Sequence, residues 1–128
     1  MTNLDSYVLF ETLLGKTLVS IEGGGEGGNS LIFTTTEKER FKLFHYQNCC
    51  ESVYIEDIIG DLQGLIGEPL LVAEQVNGAG CPPLYKHEES FTWTFYKLDT
   101  RKGGVTIRWY GSSSDYYSDS VDLIKLGV

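Results

Sequence analysis

Residues 91–110 read FTWTFYKLDTRKGGVTIRWY, and this stretch decides the fold because it carries the clearest strand pattern in the chain. Aromatic residues at positions 91, 93 and 95 alternate with Thr or Tyr, and apolar residues at 105, 107 and 109 alternate with polar or aromatic ones. A repeat of two residues is typical of a β-strand with one buried face, and Lys102-Gly103-Gly104 supplies turn residues between the runs. The stretch predicts an antiparallel hairpin with Trp93 and Trp109 as neighbours on its buried face.

Further β-rich runs lie on both sides of this hairpin. They span residues 16–22, 30–36, 40–46, 70–76 and 121–126. The glycine-rich segment at 23–28 interrupts any regular element, and we expect it to be a loop between two strands. It lacks the Gly-Lys-Ser/Thr of a phosphate-binding loop, so it is not expected to bind a nucleotide.

One segment departs from the strand pattern. Ile58, Leu62 and Leu65 recur at helical spacing, and Asp57 precedes them as a suitable N-cap. A glycine and a proline shortly after Leu65 would end a helix. The pattern predicts one short helix from about Asp57 to Leu65.

The composition is that of a single globular domain. The chain has 128 residues, of which 41% are hydrophobic and 12% aromatic, and this length suits one hydrophobic core. We expect one α+β domain over residues 1–128, a mainly antiparallel, strongly curved or two-layered β-sheet with one short helix. No run approaches the roughly 20 apolar residues of a membrane span. The N-terminal residues lack the features of a secretory signal, so a cytoplasmic location without membrane association is expected.

Acidic residues are concentrated in the middle of the chain. The formal net charge is -8, and no Lys or Arg occurs between Leu43 and Tyr85. A negative surface repels phosphate backbones, so nucleic-acid binding is disfavoured and the predicted partner is a protein with a basic surface. The alternative is that the charge only keeps the protein soluble. The candidate binding residues of this acidic surface are Glu51, Glu56, Asp57, Asp61 and Glu68.

The polar side of the predicted hairpin is a second candidate binding surface. It would present Tyr96, Arg108 and Tyr110 beside several threonines. Tyr and Arg are enriched at the residues that contribute most to protein binding, so this face is suited to a partner or a small ligand. The alternative is that Thr and Tyr are simply common on half-exposed strand surfaces.

Residues 45–51 read HYQNCCE and are the one cluster of reactive side chains in the sequence. His45, Cys49 and Glu51 are a candidate metal site, and a thiol of Cys49 or Cys50 beside His45 is a candidate nucleophile. Remote candidates for a further metal ligand are Cys81 and His87. Adjacent cysteines do not match the spacing of a zinc site, and a disulfide between them would be strained. Reduced, buried side chains that pack in the core are therefore the preferred interpretation, without a cofactor.

Five runs of residues are distinctive: CCESVYIEDI at 49–58, GDL at 60–62, IGEPL at 66–70, SFTWTFY at 90–96 and VTIRWYG at 105–111. Together they resemble a family of uncharacterised small proteins of tailed bacteriophages and prophages, and the resemblance extends from about Leu14 to Val121. The family has no known activity, so the resemblance implies no catalytic residue. In that family an acid often occupies the position of Asn48, and its absence here weakens the metal hypothesis.

Two functional hypotheses follow from these observations. The first is a non-enzymatic binding protein, a phage or prophage accessory factor that engages a host protein through the acidic surface or the Tyr/Arg face. The second is a small metal- or thiol-dependent enzyme centred on His45, Cys49, Cys50 and Glu51.

Overall fold

A computed structural model of the chain describes residues 5–24, 28–48, 50–85, 88, 90–113 and 118–127. Within these residues the chain forms nine β-strands and two short 3₁₀ turns. The strands are β1 (Ser6–Val8), β2 (Leu18–Gly23), β3 (Ser30–Thr35), β4 (Arg40–Phe44), β5 (Ser52–Ile59), β6 (Val72–Asn77), β7 (Phe91–Thr100), β8 (Gly103–Ser112) and β9 (Asp122–Lys125). The turns span Phe10–Leu13 and Leu62–Leu65. None of the helical segments in the described part of the chain has the length and apolar character of a transmembrane span.

The strands form two antiparallel sheets that share one hydrophobic core. One sheet has the order β1-β9-β4-β3-β2 and the other the order β5-β8-β7-β6. Side chains alternate between buried and half-buried along β3 and β4, as expected for strands with one face against a core. The core contains residues from both sheets and from both turns, including Phe33, Phe41, Ile55, Leu65 and Trp109. The two sheets are therefore layers that face each other across this core.

The predicted α+β class with one short helix is wrong. The described residues contain no α-helix, and residues 52–59 form the edge strand β5 instead of the start of a helix. Val53 and Ile55 of β5 are buried, and a shift in register between Ile55 and Asp57 marks a β-bulge. The apparent helical spacing arose because a strand ends and a 3₁₀ turn begins within the same few residues.

A glycine separates β5 from the turn that follows. Gly60 has a φ of 108°, in the left-handed half of the Ramachandran plot, where residues with a side chain are disfavoured. A Cβ atom at this position would lie 2.6 Å from the carbonyl oxygen of Gly104. Asp61, and not Asp57, caps the turn, because its Oδ1 accepts a hydrogen bond of 3.0 Å from the backbone N–H of Gln63.

The β7–β8 hairpin has a different register from the predicted one. Its turn consists of Arg101 and Lys102, and Thr100 pairs with Gly103. The sequence interpretation placed the turn at Lys102-Gly103-Gly104, and such a difference in turn position moves the side chains of one strand to the opposite face.

This register separates the two tryptophans. Trp93 pairs with Tyr110, and Trp109 pairs with Thr94, so the two indoles lie on opposite faces of the sheet. Both side chains are buried as predicted, with exposed fractions of 6% and 1%, but the prediction that they are cross-strand neighbours is wrong. The core face of β7 carries Tyr96 and Leu98, which are both buried.

Replacing Gly60 with Ala distinguishes the two interpretations of this segment. In a helix, Gly60→Ala would stabilise the protein by about 1 kcal/mol. We expect it instead to lower the free energy of unfolding by about 1–3 kcal/mol, because the residue has a positive φ and a close carbonyl neighbour. Urea denaturation measures the change. Gly64→Ala is the matched control, because its nearest contact would be 3.8 Å away and it should be close to neutral.

Candidate functional site

The face of the four-stranded sheet that points away from the core is rich in aromatic residues. The register of β7 and β8 places Trp93 beside Tyr110, and Phe95 beside Arg108. The ring centroid of Trp93 lies 4.7 Å from that of Tyr110 and 6.1 Å from that of Phe95. We call this surface the outer face. Its aromatic rings form a continuous apolar platform on the side opposite to the core.

Residues 78–85, which we call the strap, cross the outer face. The backbone N–H of Gly78 donates to the carbonyl oxygen of Trp93 at 3.0 Å, and a Cβ at Gly78 would lie 2.5 Å from the Cβ of Trp93. The indole Nε1 of Trp93 donates to the carbonyl oxygen of Pro82 at 2.8 Å. Cys81 and Pro82 each precede a proline, which favours an extended backbone. The strap thus begins with a turn, in which the backbone N–H of Cys81 donates to the carbonyl oxygen of Gly78 at 3.1 Å, and its prolines then lie against the aromatic rings.

Tyr110 holds the other end of the strap. Its hydroxyl accepts a hydrogen bond of 3.1 Å from the backbone N–H of Leu84 and donates one to the carboxylate of Glu88. Burial, followed by the hydrogen bond to Glu88, raises the pKa of Tyr110 to about 12. The phenol therefore remains protonated at neutral pH and keeps both hydrogen bonds.

A groove of about 650 Å³ lies beside the strap. This volume falls within the roughly 300–1,000 Å³ of ligand-binding pockets. The lining is mostly apolar and includes two basic side chains. It consists of Cys81, Pro82, Pro83, Leu84, Trp93, Phe95, Lys97, Thr106 and Arg108.

Arg108 is incompletely paired at the edge of this groove. Its guanidinium carbon lies 5.1 Å from the ring centroid of Trp93, a cation–π distance. Its Nη2 is 2.9 Å from Oε1 of Glu56, and 33% of the arginine side chain is exposed. The Nε of Arg108 and the Oε1 of Glu56 are both buried without a hydrogen-bond partner among the described residues. The close contact is thus poorly aligned, and the guanidinium has unused donor capacity.

The five predicted acidic binding residues do not form one free surface. Glu51 is buried against His45, and Glu56 lies against Arg108. Glu68 forms an ion pair with Arg101. Asp57 and Asp61 have no ion-pair partner within the described part of the chain. Three of the five acids are therefore held by intramolecular contacts, two of them in ion pairs with arginines.

The structure also divides the predicted Tyr/Arg face. Arg108 and Tyr110 lie on the outer face, whereas Tyr96 lies in the core and its hydroxyl donates to the carbonyl oxygen of Val121 at 3.3 Å. Burial raises the pKa of Tyr96. The sequence interpretation missed Trp93, Phe95 and the strap as site residues because it assigned the aromatic residues to the core. If the turn is placed at residues 101 and 102, the alternation of the strand assigns Trp93 and Phe95 to the outer face.

His45 is engaged through both ring nitrogens. Its Nδ1 lies 2.6 Å from the carbonyl oxygen of Ser120, and its Nε2 lies 2.7 Å from Oε2 of Glu51. The same Glu51 oxygen accepts a hydrogen bond of 2.8 Å from the backbone N–H of Asn48. No ring nitrogen is left to bind a metal ion or to accept a proton from a thiol.

The cysteines add little to the metal and thiol hypothesis. Cys49 and the remote candidate His87 lie outside the described residues. Cys50 is not in a disulfide and is exposed, so the prediction that it packs in the core is wrong. Cys81 is also not in a disulfide and lies in the groove. The described residues contain no group of three or more potential metal ligands.

Comparison with known proteins gives a family assignment without a function. The family model described as Domain of unknown function (DUF7448) matches residues 11–123. The search of curated proteins and the search of solved structures both return no match. The matched range contains strands β2 to β8 and every residue of the groove lining.

Removing the hydroxyl of Tyr110 should loosen the strap. We expect Tyr110→Phe to reduce the free energy of opening at the Leu84 amide by about 0.5–1.5 kcal/mol, because that N–H loses its acceptor. Hydrogen exchange of the Leu84 amide measures this change. Tyr7→Phe is the matched control, because Tyr7 is 67% exposed and lies in β1 of the other sheet. Unchanged exchange in Tyr110→Phe would show that the strap is held by other contacts.

The buried pair of His45 and Glu51 should be structural. We expect His45→Leu to lower the free energy of unfolding by about 3–5 kcal/mol, because it removes the imidazole that is hydrogen-bonded to a buried carboxylate. The double variant His45→Leu/Glu51→Leu should regain part of this loss, since it removes the buried carboxylate as well. Urea denaturation of the two variants tests the pair. A single variant as stable as the wild type would contradict the assignment.

Proposed function

We propose a binding function for this chain, which belongs to the family described as domain of unknown function DUF7448. It is a non-enzymatic protein that holds a partner protein at the groove of its outer face. The observation that supports this proposal is the aromatic platform beneath the strap, with a groove of about 650 Å³ beside it. Platforms of Trp and Tyr next to a pocket are typical of the central, high-energy part of protein interfaces.

The chemistry of the groove favours binding over catalysis. Its lining supplies apolar rings and two cations, groups that anchor and orient a partner. Among the lining residues that the structure describes, Cys81 is a potential nucleophile without a His or a carboxylate that would activate it. The alternative enzyme centred on residues 45–51 would need a free nitrogen on His45, and both nitrogens are already engaged.

The resemblance to small proteins of tailed bacteriophages extends the proposal. In that extended form the chain is a phage or prophage accessory factor, and its partner is a protein in the cytoplasm of the bacterial host. The support for this step is the set of five sequence runs given above.

Asp57 and Asp61 support a second proposal for the same class of function. Both lack an ion-pair partner within the described residues, and they lie in a stretch of the chain without Lys or Arg. In this version a partner with a basic surface contacts these carboxylates, and its association should slow as salt rises, because the Debye length shortens to about 8 Å at 0.15 M.

A pair of matched surface variants tests the groove. Leu84 and Val19 are exposed aliphatic residues, 40% and 48% respectively, but only Leu84 lines the groove. For a partner captured on the wild-type chain, we expect Leu84→Ser to weaken binding by about 1–2 kcal/mol and Val19→Ser to leave it unchanged. Titration calorimetry measures both.

The opposite result would reject the groove. A partner that binds Leu84→Ser as tightly as the wild type, but loses affinity for the charge reversals Asp57→Lys and Asp61→Lys, would move the binding site to the acidic residues.

A further inference from the structure

We infer that the partner segment in the groove is acidic and apolar: an apolar side chain enters the groove, and a neighbouring carboxylate pairs with Arg108 and Lys97. This inference rests on the proposed binding function and names the chemistry of its partner. It places an acidic segment, and not a basic surface, at this site.

The apolar part of the inference follows from the floor and wall of the groove. Trp93 and Phe95 provide aromatic surface on the floor, and Leu84 with the adjacent prolines provides an aliphatic wall. A side chain placed between them would exchange water for apolar contacts on two sides. A Leu, Phe or Trp side chain of a partner meets these conditions.

The charge of the groove is opposite to that of the whole chain. The chain carries 18 acidic and 10 basic residues, excluding His, yet the charged side chains among the described lining residues are Lys97 and Arg108. Lys97 is exposed and has no ion-pair partner within the described residues. Glu56 beside Arg108 and Glu74 opposite Lys97 offset part of this positive charge. An acidic segment would compete with these two carboxylates for the cations.

The unused donors of Arg108 give this complementarity a specific geometry. The guanidinium presents a planar fork that matches a carboxylate through two parallel hydrogen bonds. In the free protein Glu56 lies beside Nη2 in poor alignment, and Nε has no partner among the described residues. Because Nε is buried, a partner carboxylate would bind the exposed part of the guanidinium, where Glu56 would compete with it.

The strap shows which backbone shape this face accepts. The proline-containing Cys81–Leu84 segment lies on the aromatic rings, and the indole N–H of Trp93 donates to the carbonyl oxygen of Pro82. An extended partner segment could lie parallel to the strap on the same platform, as proline-containing peptides do on aromatic-lined grooves. We therefore commit to an extended protein segment as the occupant.

Selection from a random library of twelve-residue peptides on the full wild-type chain provides the probes. We expect the selected peptides to combine Asp or Glu with a Leu, Phe or Trp, and to lose affinity for Leu84→Ser. Fluorescence anisotropy of the synthetic peptides at 0.15 M salt, about the physiological ionic strength, then gives their dissociation constants for three charge variants and a control.

The charge variants should change the affinity for the peptides in opposite directions. Arg108→Gln should raise the dissociation constants of the peptides about tenfold or more, and Lys97→Gln should raise them by a smaller factor. Glu56→Gln should lower the dissociation constants, because it removes the competing carboxylate. Lys42→Gln is the matched control, since Lys42 also lies over an aromatic ring, that of Phe44, but on the other sheet. Thermal melting checks that each variant is folded, and Lys97→Gln and Glu56→Gln still decide the question if Arg108→Gln is unfolded.

The other results overturn either the inference or its premise. The inference would be overturned if the selected peptides bind the groove without an acidic residue and with an affinity that Arg108→Gln and Glu56→Gln do not change. The proposed function would remain intact. If indole-3-acetate binds as tightly as the selected peptides, the occupant is a small anion, and the proposal of a protein segment is rejected. Failure to select any peptide that depends on Leu84 would reject the groove as a binding site.

Discussion

The two-residue turn at Arg101 and Lys102 determines which side chains of the four-stranded sheet meet the core. Turn length fixes the register of a hairpin, and a slip of one residue moves every side chain of a strand to the other face. Because Thr100 pairs with Gly103, odd-numbered residues of β7 share a face with even-numbered residues of β8. The aromatic platform, the strap across it and the groove beside it all depend on this pairing.

Local patterns identified most of the strands but not the faces they present. Alternation of residue types predicted the hairpins at 30–46 and 91–110, because a period of two is a property of the strand itself. The side that faces the core depends on the turn and on the opposite sheet, which the alternation does not contain. At 57–65 the end of a strand, a glycine with positive φ and a 3₁₀ turn follow one another. Three apolar residues at helical spacing do not show whether the chain between them is a helix or a strand followed by a turn.

Electrostatic interactions were the least predictable part of the site. A count of charges along the sequence indicated an acidic surface, yet the fold pairs Glu51 with His45, Glu56 with Arg108, and Glu68 with Arg101. Two of these partners are distant in sequence, and folding alone brings them together. The same folding places basic side chains at the groove of an acidic chain. The sequence identified Arg108 and Tyr110 as candidates, and the structure supplied their aromatic neighbours.

The strap belongs to the same chain as the platform it covers, and this tethering changes the thermodynamics of the groove. Hydrogen bonds from Trp93 and to Tyr110 are intramolecular, so they form at a high effective concentration and do not require the association of a separate molecule. One wall of the groove is consequently in place before a partner arrives. A partner then loses less conformational freedom on binding than it would if both surfaces had to assemble around it.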